Sequence, residues 1–373
     1  MIIELNRTTI DLSALVYNLR LVRSMLRHDV RIMAIVKSDA YGHGLTQVSR
    51  TLEANGIDCL GVAFVYEALE LRNSGIMTPI VVLSGIQTQQ EASETVSNNF
   101  STFIYDLEMA EFLDHEAERQ NKKAAIHIKV DTGMGRLGVM HTDVVPFIKR
   151  ISGLKHLDLV ALASHFSCAD NCESDFTATQ IRLFRKVVED VRSLGYPLPL
   201  NSIANTAGMV GHKDSHLEMV RLGISLYGGM PSPNFILPVS TRPVMSFSGR
   251  ILQIRDLPDQ TPISYGRRYY TNGPARTAII SAGYADGLPR GLSNSGSVLI
   301  AGKRRPIIGT VCMNLTICDI TGMDEVREGD EAVFLGSQGG ETITGDDMAR
   351  SAGTISYEVF CSLGKRNKKV YIS

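Results

Sequence analysis

A lysine at the end of a buried strand is the first residue in this sequence that could do chemistry. Residues 32–36 form an apolar run with the β-branched content and length of a buried strand, and Lys37 follows at once, ahead of the glycine-rich segment SDAYGHG. Burial disfavours the charged ammonium form, so such a lysine can act as a nucleophilic amine in Schiff-base chemistry. The alternative is a strand-terminal lysine that points to solvent, and this segment alone does not separate the two.

The elements that must position Lys37 follow a repeating pattern from residue 30 to about residue 230. Short apolar runs alternate with helical patterns such as 107–120 and 175–194, in which apolar residues recur at spacings of three and four. The predicted strands lie at 31–36, 59–64, 79–83, 101–105, 125–130, 159–164, 200–203 and 219–223. Eight strands are what a closed parallel barrel uses, so we predict an α/β fold with an N-terminal (β/α)8 TIM barrel rather than an open doubly wound sheet.

A barrel places polar residues from distant parts of the chain at one rim. The active site of this architecture forms at the carboxyl ends of the strands, and Lys37 lies at such an end. The same position after other strands is occupied by Arg136, His165, Asn205, Thr206, Gly223 and Ile224. We therefore predict that these residues converge on one site.

The character of the sequence changes after Gly228. The segment GGMPSPNFILPVSTRPV is rich in Pro, Gly and Ser, which marks a domain boundary. Beyond it, apolar runs separated by turn residues typical of hairpins predict strands at 246–257, 277–282, 297–301, 306–311, 316–320 and 331–335. Helical periodicity returns at 345–351. We predict a barrel over residues 9–232 and a mainly antiparallel β domain over 233–373, joined by an N-terminal strand within 1–8.

Composition narrows the class of protein. The 373 residues are 44% hydrophobic and 21% charged with a formal net charge of -1, which gives no basic excess for a nucleic-acid partner. Only the tail LGKRNKKVY is locally basic, and we expect it to be a solvated terminus. The sequence shows no cationic leader and no apolar span of roughly 18 residues, so we expect a cytoplasmic protein without a membrane partner.

The six cysteines predict neither disulfides nor a metal centre. They are sparse over this length and fit reduced thiols. His165, Cys168 and Cys172 lack a fourth ligand and the usual two-residue cysteine spacing of a zinc site. We therefore expect no metal cofactor.

Taken in order, the motifs resemble those of the alanine racemase family, whose members are fold-type III enzymes dependent on pyridoxal 5'-phosphate (PLP). The motifs are VKSDAYGHG, DTGMGRLG, ANTAG, VRLGISLYG, SYGRRY, GYADGLPRG, GTVCMN and a final SYE, and they span almost the whole chain. The resemblance implies a homodimeric isomerase that interconverts L-alanine and D-alanine for peptidoglycan precursors.

The resemblance also implies two catalytic bases and a partner for the cofactor ring. Lys37 is similar to the lysine that binds PLP and serves as one base, and Tyr265 resembles the second base, which reaches the site from the partner subunit. A phenol has an ordinary pKa of about 10, so we expect cations such as Arg267 or Arg268 to assist it. Arg221 resembles the partner of the pyridine nitrogen, and His165 resembles the residue that orients it. An arginine there disfavours protonation of the ring nitrogen and so limits side reactions.

Further residues match the family's ligands for the phosphate and the substrate. The cofactor-binding set implied is Tyr41, Asn205, Thr206, Gly223, Ile224 and Tyr357, in agreement with the phosphate position general to barrels. Arg136 resembles a residue near the cofactor phenolate and the substrate carboxylate, and Met313 resembles one whose backbone N–H lies near that carboxylate. Lys129 aligns with a lysine that is carbamylated in some relatives.

Two departures from the family pattern leave the specificity open. Asn314 replaces a common aspartate and Thr310 a common arginine, while Asp170, Tyr284 and Arg290 still match the access corridor. Broader specificity, or a preference for serine, is therefore one alternative. A decarboxylase on the related fold is disfavoured by the ISYGRRY motif. A PLP-carrier protein that is not an enzyme would leave the residues after Gly228 without a role.

Overall fold

The structure, a computed structural model, describes residues 4–171, 174–232, 235 and 237–373. Two sheets dominate it: a ring of parallel strands and a mainly antiparallel sheet. The strands, in chain order, are β1 (Arg7–Asp11), β2 (Arg31–Ile35), β3 (Cys59–Val62), β4 (Ile80–Val82), β5 (Ser101–Ile104), β6 (Ala124–Asp131), β7 (Val139–Met140), β8 (Leu157–Ala163), β9 (Met219–Leu222), β10 (Met245–Leu257), β11 (Pro262–Ile263), β12 (Tyr269–Tyr270), β13 (Ala275–Ile280), β14 (Ser297–Ile300), β15 (Lys303–Pro306), β16 (Thr316–Asp319), β17 (Glu331–Gln338), β18 (Glu341–Ile343) and β19 (Lys369–Ile372).

Eight of the following helices precede β10 in the chain, and the last two lie between β18 and β19. They are Leu12–Ser24, Leu45–Ala54, Val65–Asn73, Gln89–Ser97, Leu107–Arg119, Val144–Ile151, Phe176–Ser193, Thr206–Gly211, Gly345–Ala352 and Ser356–Arg366, with short 3-10 turns at Lys213–Ser215, Ile224–Tyr227, Tyr265–Arg267, Tyr284–Asp286 and Arg290–Leu292. Side chains fix where several of them begin. The carboxylate of Asp11 accepts the N–H of Ala14, and Asp106 caps its helix through Met109 in the same way. Within the described ranges, each helix is too short or too polar to cross a bilayer.

The parallel strands close into the predicted barrel. Strands β2 to β6 pair in chain order, β8 pairs with β6, and β9 returns to β2 with Ala34 opposite Leu222. The seventh predicted strand is reduced to a bridge between Ser202 and Ala163, and the N–H of Arg221 donates to the carbonyl of Ala204 to complete the ring. The interior is filled by buried β-branched and aliphatic side chains, as the apolar strand runs require.

The second sheet joins both ends of the described chain. Its order is β15-β14-β17-β10-β1-β19, with β13 and β16 extending from β10 and β18 pairing with β17. Strand β1 runs antiparallel to β10 and parallel to β19. The expectation of a solvated basic tail is therefore wrong, because the tail supplies strand β19 and the Lys369 side chain is only 17% exposed.

The strand predicted at 306–311 is also displaced. The structure has β15 at Lys303–Pro306 instead, and Ile307 makes only an isolated bridge to Cys318. Gly309 adopts a φ of 74° inside the predicted strand, a left-handed conformation that interrupts an extended chain. The apolar residues Ile307 and Ile308 are buried nonetheless. The hydrophobic pattern here therefore indicates burial but not strand pairing.

Candidate active site

A cavity of about 510 Å³ opens at the carboxyl ends of the barrel strands. Lys37 lines it rather than projecting away into bulk solvent. Most of the other site residues predicted from the sequence line it too: Tyr41, Arg136, His165, Asn205, Thr206, Arg221, Gly223, Ile224 and Tyr357. Five strand ends thus contribute to one cavity.

The charged groups of the cavity wall are all cationic. Lys37, Lys129, Arg136 and Arg221 line it, and the described lining contains no carboxylate. Burial, together with the nearby Arg136 charge, lowers the pKa of the Lys37 amine. Burial and the charges of Arg221 and Arg136 lower the pKa of Lys129 well below its ordinary value. The wall is therefore suited to an anionic ligand and to nucleophilic chemistry by a neutral amine.

Arg221 is held rigidly on strand β9. Its guanidinium donates to the hydroxyl of Ser202 at 2.6 Å, to the carbonyl of Ser164 and to Nδ1 of His165 at 3.1 Å. Burial lowers the pKa of Arg221 to about 10, so it stays cationic at neutral pH. Burial and the Arg221 charge lower the pKa of His165 well below its usual value. Because arginine only donates, His165 is neutral, accepts at Nδ1 and carries its proton on Nε2.

One side of the cavity presents hydroxyl donors next to backbone N–H groups. The ring centroids of Tyr41 and Tyr357 lie 5.6 Å apart, and burial raises the pKa of both phenols, which therefore stay protonated. A Cβ placed on Gly223 would lie 2.5 Å from the Tyr41 hydroxyl, so a larger residue could not occupy that position. Among the described residues, no hydrogen-bond acceptor is recorded for the N–H of Gly223 or Ile224. The hydroxyl of Thr206 lies 3.2 Å from that of Ser225.

The loop that carries Arg136 is shaped by an aspartate that the sequence reasoning did not single out. Asp131 ends strand β6, and its carboxylate accepts the N–H groups of Gly133, Met134 and Gly135 at 2.8 to 3.3 Å. An aspartate two to four residues before a glycine-rich turn is the signal that could have identified this role. Asn205 serves similarly, because its Oδ1 accepts the N–H of Gly208 and caps the helix that begins at Thr206.

The backbone after Lys37 adopts a conformation that the sequence did not predict. Residues 38–41 all have φ between 53° and 57°, which makes them a left-handed turn without a glycine. Each such residue costs roughly 1–2 kcal/mol relative to the right-handed conformation. Glu67, which is almost fully buried, offsets part of this by accepting the N–H of Ser38 at 2.6 Å and that of Ala63 at 2.7 Å.

Two predicted site residues lie outside the cavity. Tyr265 and Met313 do not line it, and they are 72% and 57% exposed. The two residues that depart from the family pattern support this surface: the hydroxyl of Thr310 donates to the backbone carbonyl of Tyr265 at 2.9 Å, and the amide of Asn314 donates to Asp286 at 3.2 Å.

The residues considered for a metal are only partly described. Cys172 lies outside the described residues. Over the part of the chain that is described, no group of three or more His, Cys, Asp or Glu side chains converges as a metal site.

Comparison with known proteins matches both halves of the chain to one family. The family model "Alanine racemase, N-terminal domain" matches residues 10–231, and "Alanine racemase, C-terminal domain" matches residues 244–371. A relative named alanine racemase, from Thermodesulfovibrio yellowstonii, is 42% identical over 366 residues, which are 97% of this chain and 96% of that protein.

Solved structures agree over nearly the whole length. The alanine racemase from the D-cycloserine-producing Streptomyces lavendulae superposes with a TM-score of 0.94 at 31% identity, covering 100% of this chain and 98% of its own. The alanine racemase from Bartonella henselae with covalently bound pyridoxal phosphate has a TM-score of 0.88 at 29% identity, covering 99% of this chain and 100% of its own. The barrel, the second sheet and these matches together establish that the chain belongs to the alanine racemase family.

Proposed function

We propose that this protein is a PLP-dependent alanine racemase in which Lys37 of one subunit and Tyr265 of a second subunit act as the two bases. The observation that carries the proposal is a barrel-end cavity that contains a lysine of lowered pKa, two arginines and no carboxylate among the described lining. The family relatives named alanine racemases, and the neighbour with covalently bound pyridoxal phosphate, support the same reaction.

The donor set of the cavity fits PLP. The Lys37 amine would hold the cofactor aldehyde, and Arg221 would face the ring nitrogen. The cofactor phosphate would receive hydrogen bonds from Tyr41, Tyr357 and Thr206, and from the backbone N–H groups of Gly223 and Ile224, which have no acceptor within the described part of the chain. When bound, PLP supplies an electron sink that makes the Cα proton of an attached amino acid removable.

Arg221 sets the electronic character of the cofactor ring. Since it remains charged and donates to His165, Ser202 and Ser164, it cannot accept a proton from a ring nitrogen or easily leave its place. A fixed cation there disfavours protonation of the ring nitrogen. We infer that this limits the lifetime of the deprotonated substrate and favours return of the proton over other reactions.

Racemisation requires proton transfer on both faces of the substrate Cα. Lys37 would serve one face, because its amine lines the cavity and could take a proton from, or return one to, the Cα of a substrate held there. Arg136 at the mouth of the cavity would bind the substrate carboxylate, assisted by the backbone N–H of Met313. The opposite face needs a second donor, and Tyr265 carries a hydroxyl suited to that role.

A second subunit would bring Tyr265 into reach. In one chain this side chain is 72% exposed and lies outside the cavity, and Met313, Tyr284 and Leu315 are exposed on neighbouring segments whose backbones hydrogen-bond to one another around Cys312. Exposed large apolar residues clustered on one face are typical of a surface that another chain covers. We infer a homodimer in which each cavity receives Tyr265 and Met313 from the other subunit.

The test is an alanine racemisation assay on the purified full-length protein, with serine and lysine assayed in parallel. We expect interconversion of L- and D-alanine that requires PLP, and borohydride treatment of the loaded protein should attach the cofactor to Lys37. The assignment would be refuted if Lys37→Ala racemised alanine at the wild-type rate and borohydride left Lys37 of the wild-type protein unlabelled. A kcat/KM for serine above that for alanine would instead support a preference for serine, the alternative suggested by Asn314 and Thr310.

A further inference from the structure

The left-handed turn that follows Lys37 is in contact with the C-terminal strand of the second sheet. Asp39, inside the turn, lies 2.7 Å from the ammonium of Lys369 on strand β19. The other carboxylate oxygen of Asp39 accepts the N–H of Leu45 at 2.7 Å. Asp39 therefore joins three segments: the turn, the first residue of the next helix and the C-terminal strand.

Two further C-terminal residues, one in the helix Ser356–Arg366 and one in β19, contact the glycines that follow the turn. A Cβ on Gly364 would lie 1.8 Å from the carbonyl oxygen of Gly42, so the helix Ser356–Arg366 meets the end of the turn backbone to backbone. The hydroxyl of Tyr371 on β19 lies against Gly44, where a Cβ would come within 1.9 Å of it. This is close packing with no room for a side chain on either glycine.

The turn is also held from within the barrel domain. His43 is fully buried, and its Nδ1–H donates to the carbonyls of Ala40 and Tyr41 at 3.0 and 3.1 Å. Its ring stacks on Tyr227 with centroids 4.5 Å apart and meets the edge of Phe360 from the C-terminal helix at 5.3 Å. Contacts from both domains thus converge on four residues that would otherwise avoid this conformation.

The position of Lys37 depends on this turn, because the first left-handed residue is its immediate neighbour. Relaxation of residues 38–41 toward right-handed geometry would redirect the chain at Lys37 and move its amine relative to Arg221 and the phosphate donors. We propose that Asp39 and Lys369 form a positioning pair, through which the C-terminal strand holds the left-handed turn and so keeps the Lys37 amine at its place in the cavity. This inference rests on the proposed function, because the position of the Lys37 amine matters if that amine binds PLP.

The pair is suited to this task by its partial burial and by its charge. The Lys369 side chain is 17% exposed and that of Asp39 is 43% exposed, so solvent screens the interaction only in part. The neighbouring pair of Lys368 with Glu4 differs: its charged atoms are 3.7 Å apart and its side chains are 74% and 65% exposed. Lys368 therefore offers a matched control on the same strand terminus.

The experiment compares the full-length PLP-loaded protein with Lys369→Met, Asp39→Asn, the double variant, Lys369→Arg and Lys368→Met. The readouts are the rate of PLP release into buffer, the extent to which borohydride attaches the cofactor to Lys37, and kcat and KM for alanine. We expect Lys369→Met and Asp39→Asn to release PLP about five- to tenfold faster, the cost of one partly buried charged hydrogen bond. We expect labelling of Lys37 to fall and kcat to drop more than KM changes, since the substrate-carboxylate donors are untouched.

Coupling and rescue separate positioning from general destabilisation. The double variant should release PLP no faster than either single variant, because both remove one interaction. Lys369→Arg should restore slow release, and Lys368→Met should match the wild type. Slow, wild-type release from Lys369→Met would overturn the proposal, and so would a double variant whose effect is the product of the single effects. A wild-type protein that binds no PLP would instead reject the proposed function itself, which makes the two failures distinguishable.

Discussion

His127 and His43 are buried histidines that should make the fold sensitive to acid. His127, on strand β6 inside the barrel, is 1% exposed, and neither of its ring nitrogens has a hydrogen-bond partner among the described residues. Burial and the nearby Arg221 charge lower the pKa of His127 to about 3. Burial lowers the pKa of His43 to about 4, although its Nδ1–H is hydrogen-bonded. Both rings are neutral in the folded protein at any pH near neutrality.

The size of the effect follows from the difference between folded and unfolded protonation. An unfolded histidine has a pKa of about 6.5, so below that pH the unfolded chain binds protons that the folded chain does not. The stability that these histidines provide is therefore fully present above about pH 6.5 and is lost as the pH falls toward the folded values. At pH 5 the loss is about 2 kcal/mol for each histidine, from roughly 1.5 pH units at 1.36 kcal/mol each.

The perturbation that isolates this effect is His127→Phe, which keeps a ring beside Phe103 and removes the titrating group. The free energy of unfolding would be measured by urea titration of the cofactor-free protein at pH 8, 6.5 and 5. We expect the wild type to lose about 2 kcal/mol more than the variant between pH 8 and pH 5. His28→Phe is the control, because His28 is exposed and its variant should follow the wild-type profile. Parallel profiles for wild type and His127→Phe would refute the reasoning.

Three further outcomes follow from single side chains. Asn18→Ala should lower the free energy of unfolding by about 3 kcal/mol in urea titration, because the fully buried amide bonds two carbonyls and one backbone N–H of the segments around Leu226 and Arg242. Gly364→Ala should lower the melting temperature and accelerate PLP release, since the new methyl collides with the Gly42 carbonyl; Gly153→Ala, which meets no atom within 4 Å, should do neither. Tyr265→Phe should reduce alanine racemisation at least about 100-fold while unfolding stays within about 0.5 kcal/mol of wild type, because the side chain is 72% exposed.

The barrel and most of its rim could be predicted because the relevant signals are local. Each strand is a short apolar run, and closure of the barrel brings the residue after each run to the same rim. Lys37, His165 and Gly223 could therefore be placed together from the strand pattern, whereas Arg221, which lies within a predicted strand, was assigned through the family resemblance. The strand at 200–203 is a limiting case: residues 201–203 are buried and Leu200 is half-buried, and its backbone contact with the neighbouring strand consists of an isolated bridge at Ser202 and a hydrogen bond from the N–H of Leu200 to the carbonyl of Val160.

The features that escaped prediction depend on contacts between distant parts of the chain. The basic tail has the local composition of a solvated terminus, yet β19 pairs with β1 from the other end of the described chain. The left-handed turn has no glycine between residues 38 and 41, and L-residues favour the opposite hand. Glu67, the buried His43 ring and the C-terminal contacts stabilise it, and the sequence SDAYGHG by itself shows neither Glu67 nor the C-terminal partners.

The central claim, an active site shared between two chains, is tested most directly by subunit complementation. Lys37→Ala and Tyr265→Ala, each carrying a different affinity tag, would be co-expressed and the hybrid dimer purified through both tags. In the hybrid, one cavity carries both substitutions and the other carries neither, so it should racemise alanine at about half the wild-type rate per dimer while each parent variant is inactive. A hybrid as inactive as its parents would contradict the claim, because it would mean that Lys37 and Tyr265 must come from the same chain.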